Sequence, residues 1–149
     1  MAFLIGITLA VAVGAFARWV GLDRDRSFYP TVMIVIASLY VLFAAMGGSA
    51  TVLLAEIAIG AGFIVLTIAG FKRSLWLVVA ALAAHGVFDF FHPHAFHNPG
   101  VPVWWPDFCM AYDVAAAAYL AWLLHRRRMP IPAKWIARPP RTPDGAGGN

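Results

Sequence analysis

The sequence predicts an all-α protein, a polytopic membrane helical bundle of about five transmembrane helices with its N-terminus outside and its C-terminus in the cytoplasm. Of its 149 residues, 62% are hydrophobic and 12% are charged, whereas soluble domains carry about 25% charged residues. Five apolar stretches reach the roughly 17–25 residues that a membrane-spanning helix needs. The basic residues lie in alternate loops, so five spans place all of the basic clusters on one side of the membrane, as the positive-inside rule requires.

Each predicted span has a recognisable start or stop. The first could be mistaken for a secretory signal peptide, but it lacks the basic segment with which such a signal begins, so we predict it as a span. The second begins with a proline, which a first helical turn tolerates, and the third starts at Ser49, a plausible N-cap. The fourth also starts with a serine and is expected to stop before Pro93. The predicted spans cover about residues 2–22, 30–47, 49–71, 74–91 and 106–125.

The predicted orientation rests on the positions of Lys and Arg. These residues follow the first, third and fifth spans, at Arg18, Arg24, Arg26, Lys72, Arg73 and Arg126 to Arg128, and the Gly47-Gly48 turn and the 92–105 loop contain none. Basic loops stay in the cytoplasm, so we expect a multi-pass protein of a bacterial inner membrane. The net charge of +4 then reflects topology and not nucleic-acid binding. We expect residues 1–128 to form the bundle and 129–149 a partly disordered cytoplasmic tail.

Small residues are expected to mediate helix contacts, because helices in lipid associate by close backbone approach. The sequence offers three such surfaces. They are Ala58 with Gly62, Ala80 with Ala84, and the run from Ala115 to Ala118.

Three acidic residues and one histidine lie well inside the predicted spans: Glu56 in the third, His85 and Asp89 in the fourth, and Asp113 in the fifth. Such residues are costly in a membrane and usually functional. At a rise of 1.5 Å per residue, Glu56, His85 and Asp113 lie roughly 10 Å below the outer surface and Asp89 about 6 Å below it. The sequence therefore predicts a polar site near the outer face.

A histidine-rich stretch gives this site its predicted chemistry. His85, Asp89 and His92 are spaced i, i+4, i+7 and share one helical face, and His94 and His97 follow. Imidazole and carboxylate groups suit zinc or iron, so we predict all five residues as ligands of a divalent metal.

Three further residues complete the predicted site. Glu56 and Asp113 are the predicted catalytic carboxylates, and either could instead complete the ligand shell or orient a histidine from outside it. Cys109 lies four residues before Asp113. It is a possible soft ligand, although such a cysteine more often simply packs.

The stretch from His85 to about Trp122 resembles a family of small, uncharacterised membrane proteins with about five spans. The resemblance rests on His85-Gly86, Asp89, His92, the turn from Asn98 to Pro102, Trp104 to Pro106, and Tyr112-Asp113. It covers about a quarter of the chain and implies no particular activity. The sequence lacks the repeated histidine boxes of membrane desaturases and the seven spans of ceramidase-like hydrolases.

These features favour a metal-dependent enzyme, a hydrolase or an oxidoreductase, that acts on a lipid-like substrate from the bilayer. Transport of protons or metal ions is an alternative, but the inner halves of the predicted spans contain no Asp, Glu, Lys, Arg or His except Arg18 and His125, which lie near the span ends. An accessory role in a homo-oligomer or a larger membrane complex is another. The polar residues could also form a hydrogen-bonded knot that fixes the helix register.

Overall fold

The computed structural model describes residues 1–47, 49–95 and 97–126. Its helices are α1 (Ala2–Val20), α2 (Phe28–Gly47), α3 (Ala50–Lys72), α4 (Trp76–Ala95) and α5 (Trp105–His125), with a short 3₁₀ helix at Leu22–Arg24. All five α-helices are long and apolar enough to cross a membrane, and the described residues include no strand. The predicted all-α bundle of five spans is therefore confirmed. The orientation stays a prediction, and Gly48 and the predicted 129–149 tail lie outside the described residues.

The ends of the helices follow local capping chemistry. The Ser49 hydroxyl accepts a hydrogen bond from the Val52 amide at 3.4 Å, which confirms this serine as the N-cap of α3. Gly21 ends α1 with a φ of 89°, and its amide donates to the Ala17 carbonyl. A left-handed residue of this kind is favourable mainly for glycine, and it turns the chain sharply after α1.

Helix α4 continues through Pro93 to Ala95, so the prediction that it stops before this proline was wrong. A proline within a helix removes the hydrogen bond that its amide would give to the carbonyl four residues earlier. Here only two helical residues follow it, so little of the helix depends on that bond. The extension keeps His92 on the helical face that also carries His85 and Asp89.

The helices pack in the spatial order α1, α5, α4, α3, α2. Helix α5 contacts α1 on one side and α4 on the other, while α3 contacts α4 and α2. Helices α1 and α2 are consecutive in the chain, yet they lie at opposite ends of this series and hardly touch each other. This order brings α4 and α5, the two helices that carry most of the ionisable residues, together along much of their length.

Small residues mediate close helix contacts, but only some of the small residues that we predicted do so. Ala116 and Ala117 on α5 are buried, as expected, whereas the pairs Ala58/Gly62 and Ala80/Ala84 are exposed, so that part of the prediction was wrong. On α3 the close contact is made instead by Gly60, where an added Cβ would lie 3.0 Å from the Ala37 carbonyl oxygen of α2. Small residues recur on several faces of α3, and their spacing alone does not identify the face that meets a neighbour.

Candidate metal centre

Four buried side chains from α4 and α5 converge at one point inside the bundle. His85 and Asp89 come from α4, and Cys109 and Asp113 come from α5. One potential metal-ligand atom from each residue lies within 4.8 Å of the other three. All four residues are at most 3% exposed. Each helix contributes residues i and i+4, which lie on one face, so two facing helices suffice to form the cluster.

Gly86 allows the two helices to approach closely beside the cluster. A Cβ atom added at this position would lie 3.3 Å from Val114 Cγ2 and 3.4 Å from the Met110 carbonyl oxygen, both on α5. These distances are tighter than ordinary van der Waals contact, so a larger side chain would push α5 away. The separation between the α4 and α5 ligands therefore depends on this glycine.

The distances from His85 Nδ1 to two carboxylate oxygens are compatible either with a hydrogen bond or with a shared metal ion. His85 Nδ1 lies 2.7 Å from Asp113 Oδ2, a hydrogen bond, and 3.4 Å from Asp89 Oδ2. Two ligands that each bind zinc at about 2.0 Å are roughly 3.3 Å apart in a tetrahedral site, so the second spacing already suits a shared ion. Nδ1 can carry the proton or the metal but not both. Metal binding would therefore move the Asp113 oxygen away by roughly half an ångström.

Several carboxylate oxygens in this cluster lack a hydrogen bond, although each carboxylate also has one oxygen close to His85 Nδ1. Both oxygens of Asp89 and Oδ1 of Asp113 are buried, and the described residues offer them no hydrogen bond. An unpaired carboxylate in a dry environment costs several kcal/mol, and a proton or a bound cation can offset that cost. No Lys or Arg is among the buried residues of the described chain. Together with a thiol and an imidazole, these oxygens form a donor set that fits a divalent metal ion.

A second buried polar group lies further along α4. His92 Nε2 is 2.7 Å from Glu56 Oε1 of α3, and the same oxygen accepts a hydrogen bond of 3.2 Å from Asn98 Nδ2. The Gly100 amide in turn donates to Asn98 Oδ1 at 3.2 Å. Glu56 and His92 are therefore paired with each other and with the loop that follows α4.

Tyr40 of α2 lies between the two polar groups. Its ring stacks on His92, with 4.1 Å between the ring centroids, and lies 6.0 Å from the His85 ring. Phe63 contacts the other side of His85, edge to face at 4.9 Å. The Tyr40 hydroxyl is buried without a hydrogen-bond partner among the described residues. Aromatic rings thus surround His85 and keep water from the cluster.

The structure divides the predicted site residues into three sets. His85 and Asp89, which we predicted as ligands, lie together with Asp113, which we predicted as catalytic. His92 and Glu56 form the separate pair, and His94 and His97 are exposed. Cys109, which the sequence suggested only as a possible soft ligand, lies in the first of these sets. The signal for it was its i, i+4 relation to Asp113, which repeats the relation of His85 to Asp89.

Comparison of the chain with protein-family models, with curated proteins and with solved structures found no match. The resemblance of the 85–122 stretch to other small membrane proteins stays a prediction.

Proposed function

We propose that this protein binds one divalent metal ion inside the membrane, through His85, Asp89, Cys109 and Asp113, and that the ion serves a metal-dependent reaction on a lipid-like substrate. The observation that carries this proposal is the convergence of four ligand atoms within 4.8 Å of one another at a fully buried point. Buried carboxylates without hydrogen-bond partners give that convergence a physical reason, because a cation compensates their charge.

The donor set favours zinc among the predicted metals. Zinc binds thiolate, imidazole and carboxylate ligands in a tetrahedral arrangement, and the cluster offers one of each together with a second carboxylate. Non-haem iron sites typically use two histidines and one carboxylate. A second histidine, His92, is present but is bonded to Glu56. Zinc polarises carbonyl groups and activates water. Four protein ligands fill a tetrahedral shell, so the ion would have to accept water or the substrate carbonyl as a fifth ligand, an expansion that catalytic zinc sites use. With that expansion, hydrolysis is the reaction class that we favour over oxidation.

The Glu56–His92 pair is the acid–base group that we assign to this reaction. A carboxylate bonded to one nitrogen of an imidazole fixes the orientation of the ring, and an oriented histidine is a common proton donor and acceptor in catalysis. His92 lies two turns from His85 on the same face of α4 and packs against Tyr40. In this assignment Glu56 orients His92 and does not bind the metal.

The half of the bundle that lies away from the candidate metal centre argues against a conduit for ions. Between the cluster and the opposite helix ends, the described spans contain no buried Asp, Glu, Lys, Arg or His. The interior there consists mainly of apolar side chains such as Val78, Leu82, Leu120 and Leu123, each at most 1% exposed. A transport pathway needs polar groups through the whole membrane. A resident metal ion fits this one-sided distribution better than an ion in transit.

The proposal is tested by quantifying metal in the purified chain. The parent protein, isolated in detergent without added metal, should contain close to one zinc ion per chain by mass spectrometry. Asp89→Asn should lower zinc occupancy by more than about tenfold, because it removes a ligand. Asp107→Asn is the matched control, since Asp107 is exposed near the start of α5, and it should bind zinc like the parent. A folded parent that binds no metal even after incubation with zinc would overturn the proposal.

A further inference from the structure

A cavity of about 690 Å³ lies between α1, α2 and α5. This volume falls within the roughly 300–1,000 Å³ typical of small-molecule sites. The α1 wall is formed by Ile5, Leu9 and Val13, which follow one another at i, i+4 spacing. From Met1 to Val13 the lining extends about 18 Å along the helix. This is close to the thickness of one leaflet, half of a hydrocarbon core of roughly 30 Å.

The cavity opens sideways, towards the lipid. Its α1 wall is half-exposed, with Ile5 at 59% and Leu9 at 44%, whereas the floor residues Ile36, Cys109 and Tyr112 are buried. The opening exists because α1 and α2 hardly touch, so that α5 forms the back wall between them. A molecule could therefore enter from the bilayer without crossing an aqueous phase.

Two polar features mark one region of this otherwise apolar cavity. Cys109 lines the floor and also belongs to the candidate metal centre. Trp105, one turn earlier on α5, also lines the cavity, and its buried indole N–H has no hydrogen-bond acceptor among the described residues. Buried donors of this kind usually have a partner. Because the Trp105 N–H is itself buried, the cavity offers a ligand apolar walls and, at Cys109, a position next to the candidate metal centre.

We propose that this cavity binds one acyl chain of a membrane phospholipid, with the ester end at Trp105 and Cys109 and the chain along the α1 wall. Apolar side chains of the cavity would replace the lipid contacts of the chain. Binding of the chain stands on the cavity alone. Its role as the substrate rests on the proposed metal-dependent function, which the ester position beside Cys109 would serve.

Photo-crosslinking in proteoliposomes tests this site. Phosphatidylcholine with a diazirine in its acyl chain should label mainly the cavity residues of α1, α2 and α5, mapped by peptide mass spectrometry. Leu9→Trp narrows the mouth and should lower that labelling roughly fivefold or more, as expected for a filled pocket. Ile57→Trp is the matched control, because Ile57 on α3 is also 44% exposed but does not line the cavity; it should leave labelling unchanged.

The possible results separate the lipid site from the metal site. Labelling spread evenly over all exposed helix faces and unaffected by Leu9→Trp would overturn the lipid site. Labelling by a free diazirine fatty acid but not by the phospholipid would overturn lateral entry of a membrane lipid. Zinc content, measured in the same samples, should not change in Leu9→Trp. Cavity labelling in a parent that binds no zinc would support the lipid site and overturn the proposed metal-dependent function.

Discussion

The two halves of the bundle differ sharply, although the same helices run through both. In the half towards the loop between α4 and α5, the buried side chains include five ionisable ones: Glu56, His85, Asp89, His92 and Asp113. In the opposite half, the interior of α4 and α5 is almost entirely aliphatic. Apolar packing stabilises helices in lipid, whereas buried ionisable groups are costly there and usually serve a function. Apolar packing therefore stabilises one half, while the other half carries the groups that could bind a metal ion.

Helix α4 contains this contrast on a single face. Leu82 and Asp89 are seven residues apart, so they lie two turns apart on the same side of the helix, and both are fully buried. Leu82 contacts the apolar core, whereas Asp89 lies among the potential metal ligands. Exchanging the chemistry of these positions therefore tests the comparison directly.

The largest effect is expected from Leu82→Asp, which places a charge in the apolar half. An unpaired buried charge costs several kcal/mol, so this variant should give little or no folded protein. Asp89→Leu should remain folded, because an apolar residue relieves a carboxylate without hydrogen-bond partners. The yield of monodisperse protein and thermal unfolding in detergent measure how well each of the two variants folds. Equal folding of Leu82→Asp and the parent would contradict the proposed division.

The next largest effect is expected where α4 meets α5 in the polar half. Gly86→Leu should separate the α4 ligands from those on α5 and weaken zinc binding by about tenfold to a hundredfold, as lost positioning of ligands does elsewhere. Gly62→Leu is the control, because nothing lies within 4 Å of a Cβ there. Zinc affinity, measured by competition with a chelating dye, should fall in Gly86→Leu and stay unchanged in Gly62→Leu. Unchanged affinity in Gly86→Leu would show that the α5 ligands are not needed.

Glu56→Ala tests whether the Glu56–His92 pair is independent of the candidate metal centre. It removes the carboxylate that His92 and Asn98 share, and loss of a buried hydrogen-bond partner costs about 1–3 kcal/mol. Thermal stability should therefore fall while zinc occupancy stays near that of the parent. Glu56→Gln, which keeps an acceptor oxygen, should lose less stability. A proportional loss of zinc in Glu56→Ala would place Glu56 in the metal centre instead.

The smallest effect is expected for Thr67→Val in the apolar half. Thr67 is buried, and its hydroxyl donates only to the Phe63 carbonyl of its own helix, at 2.7 Å. Valine has a similar shape and leaves no buried donor unpaired, so the free energy of unfolding should change by less than about 1 kcal/mol. A much larger loss, seen in a thermal unfolding experiment, would mean that polar contacts stabilise this half as well.

The fold was largely predictable because span length and apolar composition are local properties. Bilayer thickness sets the length of each helix, and Ser49 caps α3 as its sequence context indicated. The error at Pro93 arose because a proline near the last turn removes one hydrogen bond without ending the helix. The error at Ala58 and Gly62 has a different cause, since the face of α3 that meets α2 depends on tertiary packing.

The site was predictable in part, for a similar reason. Helical periodicity placed His85, Asp89 and His92 on one face, and they do share it. Periodicity could not show that α3 would supply a partner for His92 while α5 supplied Cys109 and Asp113. That division depends on the spatial order of the helices, and no local pattern encodes that order.

X-ray absorption spectroscopy of the purified zinc-loaded protein tests the central claim most directly. We predict a tetrahedral shell with one sulfur at about 2.3 Å and three nitrogen or oxygen atoms at about 2.0–2.2 Å from the zinc. Cys109→Ser should remove the sulfur, because Cys109 is the only cysteine in the chain. A zinc shell of nitrogen and oxygen atoms alone in the parent protein would contradict the assignment of the ion to His85, Asp89, Cys109 and Asp113.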